Sequence, residues 1–420
     1  MDQVRKEKLN KARNTHPVLG KALFSLLIVL FYLFGKKVSV PWVIREDSLP
    51  VSRGLQAFIR AALGNDTAAG SVLAVGFMPY MTAMIIVGLF HSASGNREKT
   101  SKIRIQNEMR LITLLVALLQ ALMHSFRLEY AEYAGCPVSL LRGMTVIVLT
   151  AGAFAMVWMS ERCQKWGLGG SSVLIFANLI QNLDRNILQS LKDLREMGCT
   201  LPGAVLVAGG AMMLTVFLAL LMERSEIHLP VRHVMIHNSF SGDSDLAVKL
   251  NPVGTMAVMY VMTLFALPYY VCGFYEYLFG GNAVTGFLMR NLNLQSGWGI
   301  LFFILLLVCL NCGLAGICIN PKEAAEAMQK NGDYIPDCHP GEDTERRIRR
   351  VLLLVSALSS LVLCAVIAGP LILQLRMSVN SPLFMLPMSV MILSGMLLNM
   401  MNEIHTVRVI NAYAAMRWGL

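Results

Sequence analysis

Along the chain one pattern repeats: a long apolar stretch, a short polar break, then another apolar stretch. Ten stretches approach the length that a hydrocarbon core of about 30 Å requires of a helix. They cover roughly residues 18–34, 70–90, 111–126, 139–159, 168–187, 202–222, 251–271, 299–319, 351–375 and 382–402. Runs such as 23–34 and 301–310 are apolar on every side and do not alternate, which predicts helices rather than barrel strands. Helices also satisfy their own backbones inside lipid. The expected fold is an all-α integral membrane protein with ten transmembrane helices.

Ten spans divide into two groups of five. Because five is odd, a repeat relating the groups must insert with opposite topology. This predicts two inverted halves, 18–197 and 198–405, between a basic amino-terminal segment (1–17) and a tail (406–420), with a hinge near 195–200. No residue-level identity links the halves, so the repeat is expected from span number alone.

Composition agrees: the 420 residues are 55% hydrophobic and only 15% charged, with a mean hydropathy of +0.56, more apolar surface than one soluble core needs. Charge adds orientation. With the amino terminus in the cytoplasm, 24 of the 36 Lys and Arg residues and 17 of the 26 acids fall inside, leaving +7 inside and +3 outside. The positive-inside rule then places both termini in the cytoplasm, and the basic face suits anionic headgroups and acidic partner surfaces. No nucleic-acid recognition module accompanies it. The basic residues before the first stretch imitate a signal peptide, but nine further spans predict an uncleaved first helix.

Two predicted cytoplasmic loops are long, 223–250 and 320–350, and long hairpins on one face suggest a docking surface. The second begins Asn320, Pro321, Lys322, Glu323, an N-cap, a proline at the first helical position and an acid three residues after the cap. It predicts a short helix to about Lys330, closed by Gly332. Pro336, Pro340 and Gly341 then stiffen the tip before Arg346, Arg347, Arg349 and Arg350 meet the headgroups. Outside, the segment 54–64 is too apolar for a free loop and too short to span. It either folds back into the bundle or lies on the outer leaflet as an interfacial helix, which Arg53 and Arg60 fit equally.

Candidate chemistry is sparse. The span interiors are almost free of ionisable residues, which counts against an ion-coupled transporter. HExxH, GxSxG, a phosphate-binding glycine loop and paired carboxylates are absent, which counts against a hydrolase and against a membrane enzyme of lipids or glycans. His228, His233 and His237 cluster in one hairpin, but with no thiol or carboxylate set beside them they read as solvated loop histidines rather than a metal site. The nine cysteines form no even framework, and Cys309 and Cys312 lie mid-span as small packing residues. Neither a cofactor nor a metal is expected. Uncharged polar residues within spans (Gln120, Asn178, Gln181, Asn251, Asn311, Asn399) read as interhelical hydrogen bonds. The 27 methionines include clusters in three spans, at 78–84, 256–262 and 385–396. Flexible thioethers suit a constriction that must seal and then admit varied chains, though each one alone reads as gap-filling.

Two segments carry a resemblance: Val75-Gly76-Phe77-Met78-Pro79-Tyr80-Met81-Thr82-Ala83, and Asn320-Pro321-Lys322-Glu323 through Tyr334-Ile335-Pro336 to Pro340-Gly341. With 168–176 and Lys249-Leu250-Asn251 they are similar, in order and spacing, to SecY, the central subunit of the Sec translocon. The resemblance implies a clam-shaped bundle around an hourglass pore, closed outside by a plug and able to open sideways toward lipid. Its apolar ring maps to Met81, Ile85, Ser171, Ile175, Met259 and Ile392, a constriction that impedes ions by dewetting. The plug maps to 54–64, with Gly54, Leu55, Phe58, Ile59 and Leu63. The lateral gate maps to Thr82, Gln120 and Asn251, and motor docking to Lys322, Tyr334, His339, Pro340, Gly341, Arg346 and Arg347. The implied partners are a SecA-type ATPase motor, SecE- and SecG-like membrane subunits, a preprotein and lipid. His339 stands where the family usually has an arginine, and Ser171 where it usually has a large aliphatic. These departures resemble the accessory SecY of Gram-positive bacteria, which exports serine-rich glycosylated adhesins with its own accessory SecA. A housekeeping SecY is the alternative within the family, and an ion-coupled secondary transporter the alternative of another class.

Overall fold

The computed structural model describes residues 17–43, 70–93, 101–131, 137–196, 201–233, 244–254, 256–280, 282–336, 338–377 and 381–418. The plug segment 54–64, His237 and residues 197–200 of the hinge expected at 195–200 lie outside them. Among the described residues there are ten long helices: α1 (Pro17–Lys37), α2 (Met78–Ala93), α3 (Lys102–Arg127), α4 (Val138–Trp166), α5 (Gly170–Glu196), α6 (Leu201–Arg224), α7 (Met256–Phe279), α9 (Gly297–Cys318), α11 (Glu342–Met377) and α12 (Leu386–Trp418). Two shorter helices, α8 (Ala283–Asn291) and α10 (Pro321–Asn331), sit between them.

Each predicted stretch coincides with a long helix, yet only eight are both long and apolar enough to cross a membrane by themselves. The other two, α2 and α5, fall short for different reasons. In α2 the helix begins only at Met78, because Gly76 takes a left-handed φ of 67° and Pro79 sits in the first turn, where its missing N–H costs nothing. Residues 70–77 form turns instead of the first two turns of helix expected there. In α5 the sequence is amphipathic, with Asn178, Gln181, Asn182 and Asp184 interrupting the apolar residues. A helix polar on one side is stable in a membrane only against other helices or a watery cavity.

The closest helix packing joins α9 to α11 and α2 to α3. In the first pair the fully buried Asn311 amide donates to the Ser356 carbonyl at 3.0 Å and the Ser359 hydroxyl at 2.8 Å. The adjoining Ser356, Ser359 and Ser360 are small enough to let the helices approach. Cys309 and Cys312 lie on α9 as free thiols.

The two long hairpins depart from the sequence reading. The first forms strands β1 (Glu226–His233) and β2 (Ser244–Lys249), paired antiparallel with Ile227 opposite Val248. A third strand, β3 (Asp333–Tyr334), comes from the second hairpin and pairs with Arg232 and His233, giving the order β2-β1-β3. The alternation of Ile227, Leu229 and Val231 with polar neighbours was a strand signal. The second hairpin follows its motif: α10 starts at Pro321, and Gly332 closes it at φ 74°, its amide donating back to Gln329 and Met328.

Candidate functional site

The site begins with how α1 divides its surface. Leu23, Leu26, Leu27, Leu30, Phe31 and Phe34 are exposed, while Ser25, Ile28 and Tyr32, spaced i, i+3, i+7, form a buried stripe. Against that stripe the turn before α2 sets Phe77, α2 sets Met78 and Met81, α4 sets Met156, and α5 sets Leu174, Ile175 and Asn178. From later in the chain, α7 contributes Met259 and Thr263. Together they line a central cavity of about 30 Å³, room for about two water molecules.

Three of the expected ring residues, Met81, Ile175 and Met259, therefore meet at one cavity. Ile85 and Ile392 are buried in the same apolar cluster without lining the cavity. Ser171 is half-buried in the first turn of α5, one turn before Ile175, and does not reach it. The sequence reading missed Tyr32, Met156 and Asn178. For Tyr32 the signal was present in the 25/28/32 spacing. For Met156 there was none, since one methionine in an apolar helix looks like any other.

Polar groups around the cavity are few and placed. The Lys36 ammonium, one turn beyond Tyr32, donates to Asn178 Oδ1 at 2.7 Å and Gln181 Oε1 at 3.2 Å, tying the end of α1 to α5. At the opposite end of the α1 stripe, Ser25 Oγ donates to the Leu168 carbonyl at 3.1 Å and accepts from the Leu168 amide at 2.7 Å. The Glu403 carboxylate of α12 accepts from the Gly169 amide at 2.8 Å, where the start of α5 offers positive partial charge. So α5 is held on both sides, by α1 and by α12.

Among the described residues no hydrogen bond joins the three residues expected at a lateral gate. Thr82 is fully buried and donates to the Met78 carbonyl of its own helix at 3.0 Å. Gln120 is buried on α3. Asn251 lies in the turn feeding α7, 2% exposed, with neither side-chain amide atom partnered. In that turn Gly254 takes φ 67°, and a Cβ there would stand 3.0 Å from a carboxylate oxygen of the buried Glu223.

The expected docking residues share one hairpin. Lys322, His339, Pro340, Arg346 and Arg347 are exposed, while Tyr334 and Gly341 are half-buried. Thr344 Oγ1 donates to the His339 carbonyl at 3.0 Å, fixing the tip against α11, and Tyr334 is held in β3. Of the histidines, His228 stands 3.9 Å from Asp245 across the strand pair.

A mainly apolar cavity lined by helices from α1 to α7, in a bundle with eight helices able to cross a membrane and a platform of two sheet-joined hairpins, marks a multi-pass membrane protein of the channel type. Residues 71–401 match the family model for SecY, and the chain belongs to that family. Its relatives include the accessory Sec system protein translocase subunit SecY2 of Streptococcus pneumoniae (strain CGSP14), 29% identical over 94% of this chain and 96% of the relative. The protein of the same name in Leuconostoc gelidum subsp. gasicomitatum is 27% identical, over 96% and 98%. Among solved structures, the fold is shared with one described as the structure of a protein conducting channel, at a TM-score of 0.66 and 15% identity, covering 95% of this chain and 94% of that one. It is shared also with Sec61 in a canine ribosome–channel complex from the endoplasmic reticulum, at a TM-score of 0.62 and 14% identity, with the same coverage.

Proposed function

We infer that this chain is the central channel subunit of a Sec-type protein translocase, and of the accessory kind. The carrying observation is the meeting of Met81, Ile175 and Met259, from three helices and both halves, at one narrow apolar cavity. Methionine and isoleucine close it to ions without fixing a shape that only one substrate fits. Family membership and relatives named for the accessory system over nearly the whole chain support the same reading.

In this reading Met81, Ile85, Ser171, Ile175, Met259 and Ile392 form the pore ring. Thr82, Gln120 and Asn251 belong to the gate, and the segment 54–64 to the plug. Energy comes from a SecA-type motor, an accessory SecA, docking on Lys322, Tyr334, His339, Pro340, Gly341, Arg346 and Arg347. SecE- and SecG-like subunits complete the assembly, both termini face the cytoplasm, and the cargo is a serine-rich glycosylated adhesin.

The test is reconstitution in vesicles with an accessory-type SecA, ATP and a serine-rich preprotein. ATP-dependent protection of the preprotein from added protease is expected, and more of it than with a housekeeping motor. Equal protection with the housekeeping motor would move the chain to the housekeeping branch. Absence of protection with either motor would refute the channel reading.

A further inference from the structure

The conspicuous residue of the cavity comes from the helix least expected to supply one. Only 17% of the apolar stretch of α1 is buried, so the rest of the chain leaves most of this helix uncovered. Yet Tyr32 is the largest fully buried side chain among the described residues, and it lines the cavity opposite Met259 of α7. Packing alone would place an aliphatic residue there. A buried tyrosine hydroxyl normally finds a partner, but that of Tyr32 has none among the described protein groups, and the cavity is the space its side chain borders. One turn further, Lys36 is bonded to Asn178 and Gln181, and Asn178 is itself a cavity-lining residue. The clasp fixes the rotation of α1 against α5, and so holds Tyr32 inward.

We propose that Tyr32 is a working part of the constriction: its ring closes the cavity to ions at rest, and its hydroxyl hydrogen-bonds the backbone of a chain passing through. Lys36 is the positioning residue. A main-chain carbonyl or amide is the one polar group every polypeptide presents, and desolvating it in an apolar ring is costly unless a partner is at hand. A single hydroxyl on the wall supplies that partner without selecting a sequence. The proposal rests on the channel reading above.

The experiment measures ion leak from vesicles holding the full chain with its membrane subunits, and the rate of ATP-driven translocation in the same vesicles. Tyr32→Leu and Tyr32→Ala should raise leak several-fold, in that order. Tyr32→Phe should keep the wild-type seal but slow translocation several-fold. Lys36→Met should leak, and Lys36→Arg should restore the seal. Met259→Lys serves as the control for the pore itself. If Met259→Lys leaks while both shortened Tyr32 variants stay tight, the role of Tyr32 is overturned and the pore reading stands. If Met259→Lys is also tight, both fall. Wild-type translocation by Tyr32→Phe would overturn the hydroxyl's part, and a tight Lys36→Met the clasp. Because Leu and Phe replace Tyr32 by residues that suit an apolar helix, the result survives a failure of Tyr32→Ala to fold.

Discussion

The cavity and the hairpin platform are built from opposite materials. In the proposed channel the cavity keeps ions out, and its lining is mostly thioether, aliphatic and aromatic, with Asn178 and Thr263 as polar members, drawn from the chain between Tyr32 and Thr263. The platform, if a motor docks there as proposed, must be readable from water, and its second hairpin displays Lys322, His339, Arg346 and Arg347. What stiffens each also differs. Helix packing closes the cavity, whereas β3 pairing with β1 joins the hairpins. If these are the seal and the docking face, sealing depends on many contacts and docking on few, so changes in one region should leave the other intact.

The sharpest way to break that separation is a charge in the cavity. Met259 is 1% exposed, and a lysine at the centre of a bilayer costs about 2.5–3.5 kcal/mol, which only entering water can relieve. Met259→Lys should turn a tight vesicle into a readily leaking one while motor binding to the platform stays unchanged. Loss of motor binding along with the seal would show that the two regions are coupled.

The converse change comes next. Arg232 and Tyr334 face each other where the two hairpins join, and Tyr334→Pro removes an amide from β3 and stiffens its backbone. One net hydrogen bond is worth about 1 kcal/mol, so motor affinity in a vesicle-binding assay should fall about five-fold with leak unaltered. A third region calibrates both. Asn311→Leu removes two interhelical hydrogen bonds between α9 and α11. Such bonds average about 0.6 kcal/mol in membranes, so the detergent melting temperature should drop slightly, with neither leak nor motor affinity changed.

Legibility in the sequence follows the same division. The platform's helix was readable because caps are local chemistry: Pro321 at the first position and Gly332 at a left-handed φ act within one turn. The sheet was not recognised, since pairing Tyr334 with Arg232 links residues about a hundred positions apart and β3 is only two residues long. In the membrane, the existence of the helices was readable from length and hydropathy. The start of α2 was missed by eight residues because turns 70–77 are as apolar as a helix. Of the cavity, the family resemblance supplied Met81, Ile175 and Met259 but not Tyr32. Which face of an all-apolar helix turns inward is set by neighbours, and lipid tails impose no pattern.

The smallest expected effect separates display from stability on the platform itself. Arg346 reaches Glu342 at 3.4 Å in an i, i+4 pair whose side chains are 74% and 86% exposed. Water screens such a pair to about 0.5 kcal/mol or less, and the helix it decorates already begins with three acids, Glu342, Asp343 and Glu345, suited to its N-terminus. Arg346→Ala should therefore leave the melting temperature within error. If its guanidinium is presented to a partner, motor affinity should still fall, and fall more steeply at low salt, where the Debye length grows to about 30 Å at 0.01 M. Glu342→Ala, which frees the same guanidinium, should shift affinity the other way. Equal and salt-independent losses in both variants would mean that the pair shapes the helix start, and that the exposed arginine is not what the partner reads.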